Sequence, residues 1–208
     1  MLLDSTMPNG KTLNTDTGRP KTTSAGVLQS CHTPADTALS WYALRATYSR
    51  ELKAQTMLAE RGVRTFIPMM WRKRTVDGHE EKRLVPAVSG LLFVHWDRES
   101  LDSFIRSFGE ARPFNYYWDR TAARPLTIPE KAMEDFISVA SAMYEDIIYL
   151  TEVSDKLREG QTVKVKDGPF KGVEGKIVRI RKSRRILVEL PGMLAVASTY
   201  IPVQHLDY

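Results

Sequence analysis

The chain has a single cysteine, Cys31. An intramolecular disulfide and a multi-cysteine metal site are therefore excluded. Its four histidines, His32, His79, His95 and His205, are scattered without ligand spacing, so no metal site is expected. Cys31 has no nucleophile motif around it and reads as an inert residue. No apolar run approaches the roughly 18 residues that a membrane span requires. The first forty residues are mostly polar and carry no basic-then-apolar leader pattern, so a cytoplasmic location and no membrane partner are expected. Phosphate-binding fingerprints are also missing. Gly175-Lys176 is followed by Ile177, and Phe170 stands where a P-loop needs its first glycine. With no metal cluster, no paired nucleophile and base, and no glycine-rich cofactor loop, neither an enzyme nor a cofactor is expected.

What the chain does have is an uneven charge. The 208 residues carry a net +5 and are 42% hydrophobic. Residues 158–208 hold ten Lys/Arg against five Asp/Glu, whereas residues 143–157 hold one against four. A basic C-terminal quarter behind an acidic connector favours a polyanionic partner, although basic surfaces also occur on ordinary soluble domains.

Residues 1–39 are rich in Thr, Ser, Asp, Gly and Pro and lack apolar periodicity, so they read as a disordered tail or as an upstream extension. From Trp41 the pattern changes. "WYALRA" predicts a strand. "TYSRELKAQTMLAERG" predicts a helix with Tyr48, Leu52, Leu58 and Ala59 on one face and Gly62 as its stop. "VRTFIPMM" predicts a second strand, edge or bulged at Pro68. "WRKRTVDGHEEKRLV" predicts a charged hairpin with Asp77-Gly78 at its tip, and "VSGLLFVHW" a further strand. A helix is expected over "DRESLDSFIRSFG", capped by Asp97 and carrying Leu101, Phe104, Ile105 and Phe108 inward. "PFNYYW" predicts a strand, and "IPEKAMEDFISVASA" a helix with Met133, Phe136, Ile137 and Ala140 as its stripe. This order is the α+β ferredoxin-like β-α-β-β-α-β pattern with an added helix. Such a sheet covers one face with helices and leaves the other to be packed, solvated or used for binding.

Beyond the acidic connector, "TVKVK", "KIVRIR", "RILVEL", "MLAVAS" and "YIPV" predict a small five-stranded all-β barrel. The expected organisation is a tail (1–39), a first domain (40–142), an acidic linker (143–157) and a second domain (158–208). Within "KVKDGPFKGVEGKIVRI" the glycines are explained by a turn that returns into a strand. The same loop can display Phe170 and Lys171 beside a comb of basic residues, a pattern of nucleic-acid surfaces. The residues alone leave a solvated strand face and a nucleic-acid grip both open.

"GQTVKVKDGPFKGVEGKIVRIRKSRRILVEL" resembles a KOW motif, which occurs in NusG-type transcription factors and in ribosomal proteins. "WYALRATYSRELKAQTMLAERGVRTFIP" and "LVPAVSGLLFVHW" resemble the NusG amino-terminal domain. "TYSRELKAQ", "VPAVSGLLFV", "RPLTIPEKAMEDFI", "DGPFKGVEGKIVRI" and "PGMLAVASTYIP" are similar to the UpxY-type branch of specialised NusG paralogues. The resemblance covers Trp41 to about Asp207; the long tail departs from it.

The resemblance implies a transcription elongation and antitermination factor that docks on the clamp helices of the largest RNA polymerase subunit. It further implies contact with non-template DNA and service to a long polysaccharide operon. By strand alternation the candidate polymerase-binding residues are Val88, Leu91, Phe93, Phe114 and Tyr116, with Arg45 on the same surface; the alternative is that several of them are simply core. The implied DNA-binding residues are Arg98, Ser100, Asp102, Ser103 and Arg106, with Arg72, Lys73 and Arg74 on the hairpin. Phe170 and Lys171 are implied as the KOW contact for a ribosomal protein or other factor. A monomer is expected. A general NusG-type factor and a KOW-containing ribosome- or RNA-binding protein are the alternatives.

Overall fold

The structure, a computed structural model, describes residues 38–76, 78–142, 145–152, 154, 157 and 159–207. The expected disordered tail falls on residues 1–37, outside the described residues. The first ordered strand, β1 (Ser40–Ala46), is buried without interruption from Trp41 to Leu44, as a strand covered on both sides must be. A 3₁₀ turn (Thr47–Ser49) leads into α1 (Glu51–Ala59). The expected face of Tyr48, Leu52, Leu58 and Ala59 does not form: Glu51, Ala54 and Leu58 are buried, and Tyr48 and Leu52 are exposed. The phase fails because Tyr48 lies before the helix with φ 57°, outside helical geometry.

Pro68 splits the expected second strand. β2 (Arg64–Phe66) ends before it and β3 (Met69–Val76) begins after it, because proline offers no N–H to a ladder. β3 pairs with β4 (His79–Pro86) in the expected hairpin, with Val76 opposite His79 and Gly78 at φ 80° in the turn. β5 (Leu91–Trp96) precedes α2 (Arg98–Arg106), whose first turn is capped as expected: Asp97 Oδ1 accepts from the Ser100 N–H at 2.8 Å.

"PFNYYW" divides into β6 (Phe114–Tyr116) and β7 (Trp118–Asp119). β8 (Arg124–Pro125), β9 (Thr127–Ile128) and α3 (Glu130–Ala140) follow. Met133, Phe136 and Ala140 are buried on α3 as expected. Ile137 is only half-buried, and Val139 and Asp135 complete the stripe. Asp135 is tolerated there because Lys131 Nζ donates to its Oδ1 at 2.6 Å.

The strands of the first sheet run β2-β5-β1-β6, all antiparallel, with β9 also on β1. Register sorts its side chains. Leu44 stands opposite Leu92, and Ala43 opposite Phe93. Tyr42, Leu44, Leu92 and Val94 cluster with Leu58, Leu101 and Phe104 of α1 and α2. Trp41, Ala43, Leu91 and Phe93 cluster with Met133, Phe136 and Val139 of α3. Of the three outcomes open for the second face, packing holds, because α3 covers it.

The second sheet contains β10 (Ile148–Leu150), β11 (Thr162–Val165), β12 (Glu174–Ile180), β13 (Ser183–Leu190), β14 (Leu194–Ala197) and β15 (Leu206–Asp207). Their order is β10-β14-β13-β12-β11-β15. Two expectations change here. β10 lies inside the expected linker and adds a strand to this sheet. "YIPV" is not a strand; Val203–His205 is a 3₁₀ turn, and Leu206–Asp207 pairs with β11 instead. In the "DGPFKG" turn Gly168 has φ 88°. At Gly175 an added Cβ would lie 2.5 Å from Ile186 Cγ2 and 2.7 Å from the Leu187 carbonyl oxygen, so only glycine lets β12 approach β13.

α3 also packs on β13 and β14. Its Phe136 ring centroid lies 5.9 Å from that of Phe93, 6.2 Å from Phe66 and 6.4 Å from Tyr149. The Tyr149 hydroxyl donates to the Met69 carbonyl at 3.1 Å. Burial holds its pKa up at about 12, above the ordinary value of 10.0. The folded state thus keeps a proton that the unfolded chain releases near pH 10, so stability from this group is complete below pH 10 and lost as pH rises towards 12. The urea midpoint of the wild type is expected to fall across this alkaline window. Tyr149→Phe is expected to fall less steeply while losing about 1 kcal/mol at neutral pH with its hydrogen bond. An unchanged alkaline slope in Tyr149→Phe would exclude this role.

Candidate functional site

The N-terminal turn of α2 brings three of the predicted residues together. Arg98 Nε donates to Asp102 Oδ2 at 2.9 Å, one helical turn on. The Tyr116 hydroxyl donates to Asp102 Oδ1 at 2.7 Å, and the Arg98 guanidinium lies 4.8 Å from the centre of the Tyr116 ring. Burial alone would lower the Arg98 pKa, but the bond to Asp102 and the neighbouring phenol reverse this and raise it. Burial, then the bond to Asp102, pushes the Tyr116 phenol up as well. Both carboxylate oxygens of Asp102 are thus engaged, and Arg98 has its counter-ion inside the protein. Arg98 and Asp102, both among the implied DNA-binding residues, thus form a mutually satisfied unit. The exposed strip of α2 holds Glu99, Ser103 and Arg106, the last two joined by a weak bond at 3.3 Å; Ser100 spends its N–H on the cap.

The hairpin carries a different arrangement. Arg72 faces Arg83 and Lys73 faces Lys82 directly across the ladder. Like charges so placed oppose pairing. Lys73 is relieved by Glu80 at 3.0 Å, and Lys82 by Glu145 at 2.5 Å. The hydrogen bond and charge of Lys82 hold the exposed Glu145 carboxyl below its ordinary pKa. Arg72, Arg74 and Arg83 are exposed and make no ion pair with another described residue. Among the described residues Glu81 stands across the ladder from Arg74, and Arg72 and Arg83 face each other as like charges, so this end of the hairpin is net basic.

The predicted polymerase-contact residues do not share one surface. Arg45 is exposed on β1, opposite Asn115. Val88 and Tyr116 are half-buried. Leu91 and Phe93 lie beneath α3, and Phe93 is 0% exposed. Phe114 lies on the opposite side of the sheet, stacked 5.8 Å from Phe104. Strand alternation sets the face of a residue but not what covers it, and here both faces are covered. Phe170 is corrected likewise. It is 3% exposed, in the core with Val163, Val165 and Val173, while Lys171 alone is exposed.

Tyr48 and Trp118 are two of the exposed aromatics that escaped the sequence reading; Trp71 and Tyr200 are exposed as well. Tyr48 is 87% exposed, with Arg50 5.5 Å from its ring centre. Trp118 is 57% exposed on β7. Nothing in the sequence separates them from core aromatics except their arginine neighbours. An open cleft of about 680 Å³ lies between α3 and the second sheet, lined by Lys131, Asp135, Glu174, Lys176 and Glu189 among others; its charges are of both signs. Among the described residues no group of three or more His, Cys, Asp or Glu is placed to hold a metal. None of their helices is long and apolar enough to cross a membrane.

Comparison with known proteins places these features. Residues 39–137 match the family described as NusG, Transcription termination factor nusG, and residues 159–189 match the KOW motif. No curated protein matches the chain. A solved structure described as "Domain interaction in Thermotoga maritima NusG" is 20% identical over 82% of this chain and 97% of its own, with a TM-score of 0.41. The chain thus matches the NusG family over the first sheet and the KOW motif over the second.

Proposed function

We propose that the chain is a transcription elongation and antitermination factor that binds RNA polymerase through its first domain and promotes read-through of a long operon. The single observation that carries this reading is the NusG match over residues 39–137 joined to a KOW motif over 159–189. The strand order of the first sheet, with α1 and α2 on one side, fits the ferredoxin-like pattern expected of such a domain. The second sheet fits a KOW barrel, extended by β10 and β15.

The contact with the clamp helices of the largest subunit uses exposed groups, of which Arg45 is the predicted residue that remains available. Leu91, Phe93 and Phe114 support this surface from within. Affinity-tagged protein purified from its native cell in mild salt is expected to carry RNA polymerase subunits, and Arg45→Glu to reduce them about tenfold with an unchanged melting temperature. Ribosomes without polymerase in the eluate would overturn the proposal in favour of a ribosome-binding KOW protein.

Non-template DNA is met by the hairpin charges of Arg72, Lys73 and Arg74, together with Arg106. Replacing Arg72 and Arg74 with Gln is expected to weaken binding to a transcription-bubble DNA scaffold and to flatten its salt dependence. The slope of log K against log salt should fall by about 0.7–0.9 for each phosphate that the variant no longer neutralises. An unchanged slope would remove the hairpin from the DNA surface.

The finer reading is that of a UpxY-type specialist for one polysaccharide operon, carried by the phrases "VPAVSGLLFV" and "DGPFKGVEGKIVRI". Transcript profiling after deletion of the gene is expected to show loss of promoter-distal reads in one long operon. Loss across most transcription units would identify a general factor instead.

A further inference from the structure

The β12–β13 hairpin of the second sheet sets two arginines against each other. Arg179 and Arg184 are Cα partners directly across the ladder, so both side chains leave the sheet on one face. Like charges so placed oppose pairing. The register that brings them together is fixed by the turn beyond. Ile180 pairs with Ser183, and between them Arg181 and Lys182 hold φ 50° and 66°, the two left-handed residues that a tight hairpin needs. Neither Arg179 nor Arg184 offers its guanidinium to a hydrogen bond or ion pair with another described residue. Their opposition is therefore not relieved within the described residues.

The two arginines also enclose a space. With Gln161, Ile177 and Val178 they line an open cavity of about 360 Å³, and among the described residues no acid lines it. Gln161 is held there by the backbone: the Ile177 N–H donates to its carbonyl at 2.9 Å. At the neighbouring Gly160 an added Cβ would strike the Ile177 carbonyl oxygen, so only glycine lets the chain run this close to β12. The rest of the same face carries no charge. Alternation places Gly175, Ile177, Ile186 and Val188 on it, with Val163 of β11 beside them, and the valines and Ile186 are buried in the core of this sheet. Arg185 belongs to the opposite face, and its guanidinium is spent on the carbonyls of Asp146 and Ser198. Positive charge on this face thus converges at one point and does not continue along it as a track.

Two facing guanidiniums without a counter-ion call for an anion with more than one charge and several acceptor oxygens. Phosphate and diphosphate groups meet both needs, because each planar fork can take two oxygens. Ile177 adds an apolar wall, and the Gln161 amide carries both donors and an acceptor, which suits an organic group attached to the phosphate. The cavity stands at the small end of ligand sites, which limits that group to about one nucleoside. We infer that this cavity binds a small phosphorylated molecule of nucleoside-diphosphate size, with Arg179 and Arg184 on the phosphates and Gln161 and Ile177 on the organic part. A site assembled across a hairpin has no contiguous fingerprint, so the missing P-loop does not bear on it. The site lies in the second domain and goes beyond both polymerase docking and the basic β3–β4 hairpin.

The experiment is calorimetric titration of the full chain, without polymerase, with inorganic pyrophosphate, ADP and GDP, and with a single-stranded RNA 12-mer as the polymer control. At least one of the two nucleotides is expected to bind more tightly than pyrophosphate. Arg179→Gln and Arg184→Gln should each weaken that binding roughly tenfold or more, the usual worth of a charge-assisted hydrogen bond. Without ligand Arg184→Gln should melt no lower than wild type, because it removes a like-charge opposition, so lost binding is not lost fold. Gln161→Ala should weaken nucleotide binding and leave pyrophosphate binding unchanged. Absence of binding by all three phosphate probes would overturn the site, as would wild-type affinity in both arginine variants. Equal affinity for pyrophosphate and both nucleotides would overturn the roles of Gln161 and Ile177. RNA binding that falls in the arginine variants while neither nucleotide binds would overturn the proposal in favour of a nucleic-acid backbone. Failure of polymerase co-purification would leave these titrations standing, so the two readings fall separately.

Discussion

One helix holds the molecule in register. α3 packs on the first sheet through Met133, Phe136 and Val139, and it also lies against β13 and β14. Phe136 is the pivot, with ring contacts to Phe93 and Phe66 of the first sheet and to Tyr149 of β10. A helix that meets apolar partners on two sides cannot present a single stripe, which is why Val139 and Asp135 join the buried set. Its first turn is anchored by Glu130, which lies 3.2 Å from His95 Nε2 and 3.5 Å from Arg64 Nη1. An acid at that position also meets the positive end of the helix dipole.

The connector follows from the same constraint. Glu145 reaches Lys82 of the β3–β4 hairpin, and Tyr149 bonds to Met69 at its base. From the other side Arg185, almost fully buried, donates to the carbonyls of Asp146 at 2.6 Å and Ser198 at 2.7 Å. Its Nη2 also lies 3.5 Å from Asp146 Oδ2, while Nε stays without a hydrogen-bond partner among the described residues. Residues 145–150, which composition marks as part of an acidic tether, are thus tied to the β3–β4 hairpin and to the second sheet.

Removing a free sheet face changes where function can reside. With Leu91 and Phe93 under α3, and Phe114 under α2, recognition passes to exposed edges and turns. These are the charged hairpin, the wet strip of α2, the start of α1 with Tyr48, and the β7–β8 hairpin.

Sequence alone determined the elements whose signals are local. Asp97 announces the cap of α2, Asp77-Gly78 the hairpin, and the β-branched "KIVRIR" and "RILVEL" the paired strands β12 and β13. In each case the determining contacts lie within a few residues. The KOW phrase was equally legible, since Gly168 and Gly175 answer a turn and a close approach between neighbouring strands. Only the tertiary structure decided which residues face water. Alternation gave Phe93 and Phe114 a side of the sheet but could not say that α3 and α2 cover both sides. It could not say that Arg98 spends its charge on Asp102 or that Phe170 turns inward. Trp41 and Trp118 are alike as letters; one is sealed beneath a helix and the other stands in solvent. Exposure is set by what the rest of the chain brings back to each position, and that long-range packing leaves no local trace in the sequence.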